Sequence, residues 1–95
     1  MTPPLPDLVL YGRPGCHLCD DARLALGQVL AEREATGLPV PRVEERNILE
    51  HGPWVDRYGD SIPVIAIGER ELKLVTSPVR MRRLLADVID GVMPG

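Results

Sequence analysis

Apolar residues divide this 95-residue chain into segments with strand-like and helix-like spacing. Asp7–Tyr11 is apolar at almost every position, which predicts a central strand, because a strand buried on both faces shows no alternation. From Cys16 to about Thr36, apolar residues recur every three or four positions, as they do on one face of a helix. The predicted buried face of this helix comprises Leu18, Ala22, Ala25, Leu26 and Val29.

The middle of the chain predicts a weaker strand and a short helix. Arg42–Ile48 carries consecutive charged residues in its centre, which are typical of a strand at the edge of a sheet. Gly52-Pro53 predicts a helix start, and Trp54 and Tyr58 follow one turn apart. We expect Trp54 to fill the core rather than to form a platform for a ligand.

The last third of the chain predicts a hairpin and a final helix. The apolar run Val64–Ile67 and the alternating segment Glu71–Val75 are separated by a glycine-led turn, as in a β-hairpin. Ser77 and Pro78 suit the cap and the first turn of a helix, and Gly91 suits its end. The predicted buried face of this helix comprises Met81, Leu84, Leu85 and Val88.

These elements follow the order β-α-β-α-β-β-α, which predicts one α/β domain over residues 7–91. Residues 1–6 lack the basic start and apolar centre of a signal peptide, so we expect a flexible lead-in there and a short tail at residues 92–95. No stretch approaches the roughly 20 apolar residues of a membrane span. A net charge of -3 gives no reason to expect nucleic acid. We therefore expect a cytoplasmic monomer without a membrane or nucleic-acid partner.

The candidate chemistry lies in Cys16 and Cys19, the only cysteines in the sequence. A Cys-x-x-Cys pair between a strand and a helix is typical of a thiol–disulfide site. Residues three apart at a helix start lie on one face, roughly 5–6 Å apart, which suits a disulfide. The pair is therefore expected either to form a disulfide or to act together on another molecule.

The charges around the pair have opposite effects on the ionisation of the Cys16 thiol. The helix start, Arg13 and a protonated His17 favour its thiolate form. Asp20 and Asp21 disfavour it, because a nearby carboxylate opposes a second negative charge. We expect the thiolate to be favoured, since amide donors can point at the sulfur while both carboxylates can turn to solvent.

Two other interpretations of the cysteine pair remain open from the residues alone. A tetrahedral metal site needs four ligands, and the sequence adds only His17 and His51 as further histidine or cysteine ligands. His17 directly follows Cys16, so one metal ion would bind both only in an awkward geometry. Alternatively, the cysteines could be two small apolar residues that pack in a core.

The segment Tyr11–Cys19 is similar to the glutaredoxin signature, with Arg13 where that family usually carries a lysine. Ile62-Pro63 resembles its Val-Pro, in which the proline is cis and faces the cysteines. Over roughly residues 7–89 the order of elements resembles the thioredoxin fold, and within it the glutaredoxins and small bacterial glutaredoxin-like proteins. The resemblance implies a mixed four-stranded sheet with helices on both faces.

The sequence departs from the glutaredoxins at two places. His17-Leu18 stands between the cysteines, where dithiol members usually read Pro-Tyr. Val75–Pro78 stands where they carry a Gly-Gly and acidic residues that hold a glutathione carboxylate, and Pro78 lacks one amide that could bind an anion. The thioredoxins proper fit less well, because their Trp and buried Asp are replaced by Gly15 and Leu10.

The resemblance implies a thiol–disulfide oxidoreductase that acts on protein or glutathione mixed disulfides. Cys16 would attack the substrate and Cys19 would resolve the mixed disulfide. The residues expected to contact substrate are Arg13, Ile62, Pro63, Thr76 and Ser77. Glutathione is a candidate co-substrate, glutathione or a thioredoxin reductase is the candidate reductant, and no bound cofactor or metal is expected. Two alternatives are an iron–sulfur or metal carrier that uses Cys16 and a non-catalytic interaction module.

Overall fold

Four strands form one mixed sheet in the computed structural model of the protein, which describes residues 5–90. The strands are β1 (Leu8–Gly12), β2 (Val43–Asn47), β3 (Val64–Ile67) and β4 (Arg70–Lys73). Their order across the sheet is β2-β1-β3-β4, with β1 parallel to β2 and antiparallel to β3, and β3 antiparallel to β4. The charged strand β2 thus lies at an edge, as predicted.

Three α-helices connect and cover these strands: α1 (His17–Ala35), α2 (Gly52–Tyr58) and α3 (Pro78–Leu85). A 3-10 turn, Ile48–Glu50, precedes α2, and a π-helical turn, Ala86–Asp90, continues α3. Within residues 5–90, no helix is both long enough and apolar enough to cross a membrane.

The alternation of side chains along β1 divides the core between the two faces of the sheet. Leu8 and Leu10 belong to the core cluster that α1 and α3 cover. Tyr11 points to the opposite face, where Tyr58 of α2 packs against it. Helices therefore lie on both faces of a mixed four-stranded sheet, and the thioredoxin-like fold is confirmed.

The predicted helix faces are correct except at one end. Most of the expected residues are buried, but Leu18 is 51% exposed. Its angle around α1 places it on the buried stripe with Ala22 and Val29. Leu18 nevertheless lies in the first turn of α1, next to His17, where the helix begins, and about half of its side chain stays exposed.

Two element ends also differ from the prediction. The fourth strand ends at Lys73 rather than at Val75, because Leu74 adopts a left-handed backbone with φ of 53°. The last helix changes from α to π geometry after Leu85. The predicted helix end at Gly91 and the tail at residues 92–95 lie outside the described residues, as does most of the predicted lead-in.

One buried charge near the end of α1 was not predicted. Arg33 is 6% exposed and forms two hydrogen bonds with the carboxylate of Asp90, at 2.6 and 3.1 Å. Its Nε also donates to the carbonyl oxygen of Pro39 at 2.8 Å. Because a buried guanidinium is stable only when it is paired and hydrogen-bonded, these contacts tie the last turn of the described chain to α1.

Candidate active site

Three segments that are distant in the sequence meet at one end of the sheet. The pairing of Tyr11 with Val64, and of Val64 with Lys73, brings together the end of β1, the start of β3 and the end of β4. The amide of Val75 donates to the carbonyl oxygen of Pro63 at 3.1 Å, which holds the segment after β4 against the start of β3. The loop from β1 to the cysteines leaves the sheet at this same end.

Cys16 and Cys19 form a disulfide, with their Cα atoms 5.2 Å apart. Cys16 is the N-cap of α1, and its Sγ accepts a hydrogen bond from the backbone amide of Cys19 at 3.1 Å. Cys19 lies in the first helical turn and is 1% exposed, whereas Cys16 is only partly buried. One sulfur is therefore accessible from solvent, and the other is protected behind it.

The buried sulfur packs closely against a glycine at the end of β1. A Cβ atom on Gly12 would lie 3.1 Å from Sγ and 3.3 Å from Cβ of Cys19. This role was not predicted from the sequence, although a glycine in an apolar strand often marks a place where another group approaches closely. Gly12 thus allows the buried sulfur to rest directly on the strand.

Aromatic residues surround the cysteines on the face that α2 covers. The ring centroid of Tyr11 lies 4.3 Å from that of Tyr58 and 5.8 Å from that of Trp54, and both cysteines pack against this cluster. Trp54 is partly buried there, consistent with the expected role in the core. The cluster gives the pair an apolar wall on this side.

Two polar side chains in this wall, Arg46 and Tyr58, each keep one protonation state at neutral pH. The guanidinium of Arg46 forms an ion pair with Glu44, donates to the Tyr11 hydroxyl at 3.0 Å and lies 5.1 Å from the Trp54 ring centroid. The ion pair raises the pKa of Arg46, so this group stays charged. Burial, together with a hydrogen bond to Glu71, raises the pKa of Tyr58 above its ordinary value, so its hydroxyl stays protonated at neutral pH.

A cavity of about 290 Å³ reaches Cys19 from the side of β2. Its charged walls are largely paired, since Arg23 contacts Glu45 at 2.5 Å and Asp20 at 2.9 Å. Arg13, one of the predicted substrate contacts, lines this cavity on the side of β2. Among residues 5–90, it takes part in no ion pair.

The other predicted substrate contacts lie on the opposite side of the cysteines. The Ile62-Pro63 peptide bond is cis, as predicted, and both residues are buried at the start of β3. Ile62 packs in the same cluster as the two cysteines. Within the described part of the chain, neither its N–H nor its C=O makes a backbone hydrogen bond. These two groups are therefore available to a strand-like partner.

Thr76 and Ser77 follow β4 and are both partly buried. The Ser77 hydroxyl accepts a hydrogen bond from the amide of Arg80 at 3.4 Å, so it caps α3 as predicted. Because β1 and β3 separate β2 from β4 in the sheet, Arg13 and Ser77 lie on different sides of the cysteine pair. The geometry therefore brings the cysteines and Ile62 together and places Arg13 and Ser77 on either side of them.

Among the described residues, no further side chains are arranged as metal ligands around this site. No cluster of three or more His, Cys, Asp or Glu side chains with the spacing of metal ligands occurs between residues 5 and 90. The chemistry that the arrangement itself offers is that of an accessible sulfur, a buried sulfur and an adjacent unpaired backbone segment.

Comparisons with known proteins agree with this geometry. The crystal structure of protein XcR50 from X. campestris is 31% identical to this chain, with a TM-score of 0.65, and the match covers 82% of this chain and 93% of that one. The solution structure of the same protein has the same identity and TM-score. The solution structure of protein Ne2328 from Nitrosomonas europaea is 25% identical, with a TM-score of 0.62, and the match covers 95% and 93% of the two chains.

The family comparison is more specific than the structural one. A search of the curated proteins found no match. The family model of the glutaredoxin-like domain (DUF836), however, matches residues 7–89. This match extends from just before β1 into the π-helical turn and contains the whole of the site described above. The chain therefore belongs to the glutaredoxin-like domain family.

Proposed function

We propose that this protein is a thiol–disulfide oxidoreductase that reduces protein or glutathione mixed disulfides through Cys16 and Cys19. The observation that carries the proposal is the unequal exposure of two sulfurs within one helical turn. A partly exposed Cys16 can reach a substrate, whereas Cys19, at 1% exposure, can reach only the sulfur of Cys16. This division of roles is the one that a two-step exchange requires.

In the first step, the reduced protein attacks the substrate. The Cys16 thiolate attacks one sulfur of the substrate disulfide, which forms a mixed disulfide and releases the other sulfur as a thiolate that takes up a proton from solvent. The amide of Cys19, 3.1 Å from Cys16 Sγ, and the positive end of the α1 dipole stabilise the attacking thiolate.

In the second step, Cys19 loses its proton and attacks the sulfur of Cys16. The bond between Cys16 and the substrate breaks, the second substrate thiol leaves, and the Cys16–Cys19 disulfide forms. The substrate has then gained two electrons from the protein and two protons, one from solvent in the first step and one that replaces the proton lost by Cys19 in the second. A thiol reductant, either glutathione or a thioredoxin reductase, returns the electrons to the pair.

The start of β3 supports binding of the substrate beside Cys16. The N–H and the C=O of Ile62 can pair with an extended substrate backbone in the manner of an added strand. Pro63 has no N–H that would compete for the sulfurs. Arg13, Thr76 and Ser77 are the further substrate contacts that we propose, with Arg13 serving anionic groups on the side of β2.

The proposal is tested by trapping the mixed disulfide. The Cys19→Ser variant is expected to accumulate a covalent adduct with a disulfide substrate at Cys16, which mass spectrometry detects. The Cys16→Ser variant is expected to form no adduct and to lose reductase activity. Full activity of Cys16→Ser, or an adduct located on Cys19, would show that the roles are assigned wrongly.

A further inference from the structure

Leu74 holds an unusual conformation beside the start of β3. Its φ of 53° lies in the left-handed region, which costs a residue other than glycine roughly 1–2 kcal/mol. Two hydrogen bonds hold the segment in place: the amide of Leu74 donates to Ser61 at 2.9 Å, and that of Val75 donates to Pro63 at 3.1 Å. The side chain of Leu74 nevertheless remains 56% exposed. A strained backbone thus presents an apolar side chain next to Ile62-Pro63.

Leu18 presents a second exposed apolar side chain, between the two cysteines at the start of α1. It lies between Cys16 and Cys19 and is 51% exposed, although its angle around α1 belongs to the buried stripe. The described part of the chain leaves about half of it uncovered. Single exposed leucines are common on protein surfaces, so exposure alone is not informative. These two, however, belong to the two segments that border Cys16 and Ile62.

We propose that the substrate is an extended polypeptide segment whose disulfide cysteine has apolar neighbours, and that Leu18 and Leu74 select it. This inference rests on the oxidoreductase function proposed above and specifies its substrate class. Ile62 is 8% exposed, and its N–H and C=O make no backbone hydrogen bond within the described part of the chain. A partner with one hydrogen-bond donor and one acceptor would pair both groups. A polypeptide backbone supplies both, and apolar side chains beside its cysteine would then cover the two leucines.

The test uses three short peptides that differ only in the two residues next to one cysteine: leucine, serine or aspartate. Each is supplied as its symmetrical disulfide, and the rate constant for its reduction by fully reduced protein is measured in a single turnover. The wild-type protein is expected to reduce the leucine peptide about tenfold faster than the serine peptide, because burying two half-exposed leucines contributes an appreciable transfer free energy.

Variants test whether Leu18 and Leu74 cause the preference. Leu74→Gly keeps the left-handed backbone, because glycine adopts positive φ without strain, and Leu18→Ser changes an exposed side chain. Each is expected to lower the ratio of the leucine rate to the serine rate about threefold. The ratio is used because a change between the cysteines alters both rates equally through the thiol chemistry. Leu24→Ser, at a 74% exposed position in the middle of α1, is the matched control and should leave the ratio unchanged.

Two kinds of failure are distinguishable. Equal rates for the three peptides, or a faster aspartate peptide, would overturn the inference, and the second result would point to an anionic substrate. If wild-type protein also fails to reduce hydroxyethyl disulfide, which has no flanking residues, the oxidoreductase function itself is wrong. Reduction of hydroxyethyl disulfide without any peptide preference overturns only the apolar substrate class.

Discussion

Gly12 and Cys19 are packed so closely that a single methyl group on the glycine would lie 3.1 Å from the buried sulfur. Cys19 is in the core and in a disulfide, so its sulfur cannot move away from the strand. The closeness of these two residues fixes how deeply the first turn of α1 sits on β1. It also makes the strand end sensitive to the smallest possible substitution.

We expect Gly12→Ala to destabilise the oxidised protein by about 1–3 kcal/mol, because overpacking a filled core forces side chains or backbone to shift. Urea unfolding measures the free energy. Gly27→Ala is the control, since no atom lies within 4 Å of a Cβ at this exposed position of α1, and it should stabilise the protein by up to about 1 kcal/mol. Equal stabilities of the two variants would contradict the packing argument.

The unequal exposure of the cysteines predicts unequal alkylation. In the reduced native protein, iodoacetamide is expected to modify Cys16 at least about tenfold faster than Cys19, because the thiolate at the helix start is both accessible and stabilised. Peptide mass spectrometry after short labelling measures the two rates. Labelling in urea provides the control, since both cysteines should then react at similar rates. Faster labelling of Cys19 in the native protein would reverse the proposed roles.

The buried ion pair between Arg33 and Asp90 predicts a loss of stability when it is broken. Asp90→Asn should lower the free energy of unfolding by about 2 kcal/mol, because it leaves a buried guanidinium without its counter-charge. Asp87→Asn is the matched control: its contact with Arg70, at 3.8 Å, is exposed and should contribute less than about 0.5 kcal/mol. Similar losses in urea unfolding would show that Arg33 is not held by this pair.

The exposure of Arg13 and the proline at the start of α3 predict weak use of glutathione, because an open-surface ion pair is weak and Pro78 lacks a backbone amide that could hold a carboxylate. We expect slow but measurable turnover of a glutathione mixed disulfide in an assay coupled to glutathione reductase. Arg13→Ala should reduce it by no more than about fivefold, because an ion pair on an open surface contributes roughly 1 kcal/mol or less. Arg42→Ala, on another exposed arginine outside the site, is the control. Fast turnover that collapses in Arg13→Ala would contradict this prediction.

The sequence predicts the architecture well because each element carries its own pattern. The apolar β1 run, the charged edge strand β2 and the Ser77 cap are local signals, and each predicted the observed element. The cysteine pair and the cis Ile62-Pro63 bond followed from short motifs and the resemblance they support. Such features need no knowledge of which distant residues meet.

Three of the features that the sequence did not predict depend on residues elsewhere in the fold. Arg33 pairs with a residue 57 positions away, so its burial cannot be seen in the helix pattern. Leu18 has the correct helical angle but is half exposed in the first turn of α1, and periodicity contains no information about which positions other elements cover. Leu74 was expected in a strand because it continues an alternation, whereas its contacts with Ser61 decide its backbone.

The hydrogen bond from the amide of Cys19 to the sulfur of Cys16 also links the capping of α1 to the reduction potential of the cysteine pair. A thiolate accepts such a bond more strongly than a disulfide sulfur does, because the bond is then assisted by charge. The start of α1 is accordingly better capped in the dithiol form. Any interaction that favours the dithiol over the disulfide raises the reduction potential of the couple, so the cap itself makes this pair a stronger oxidant.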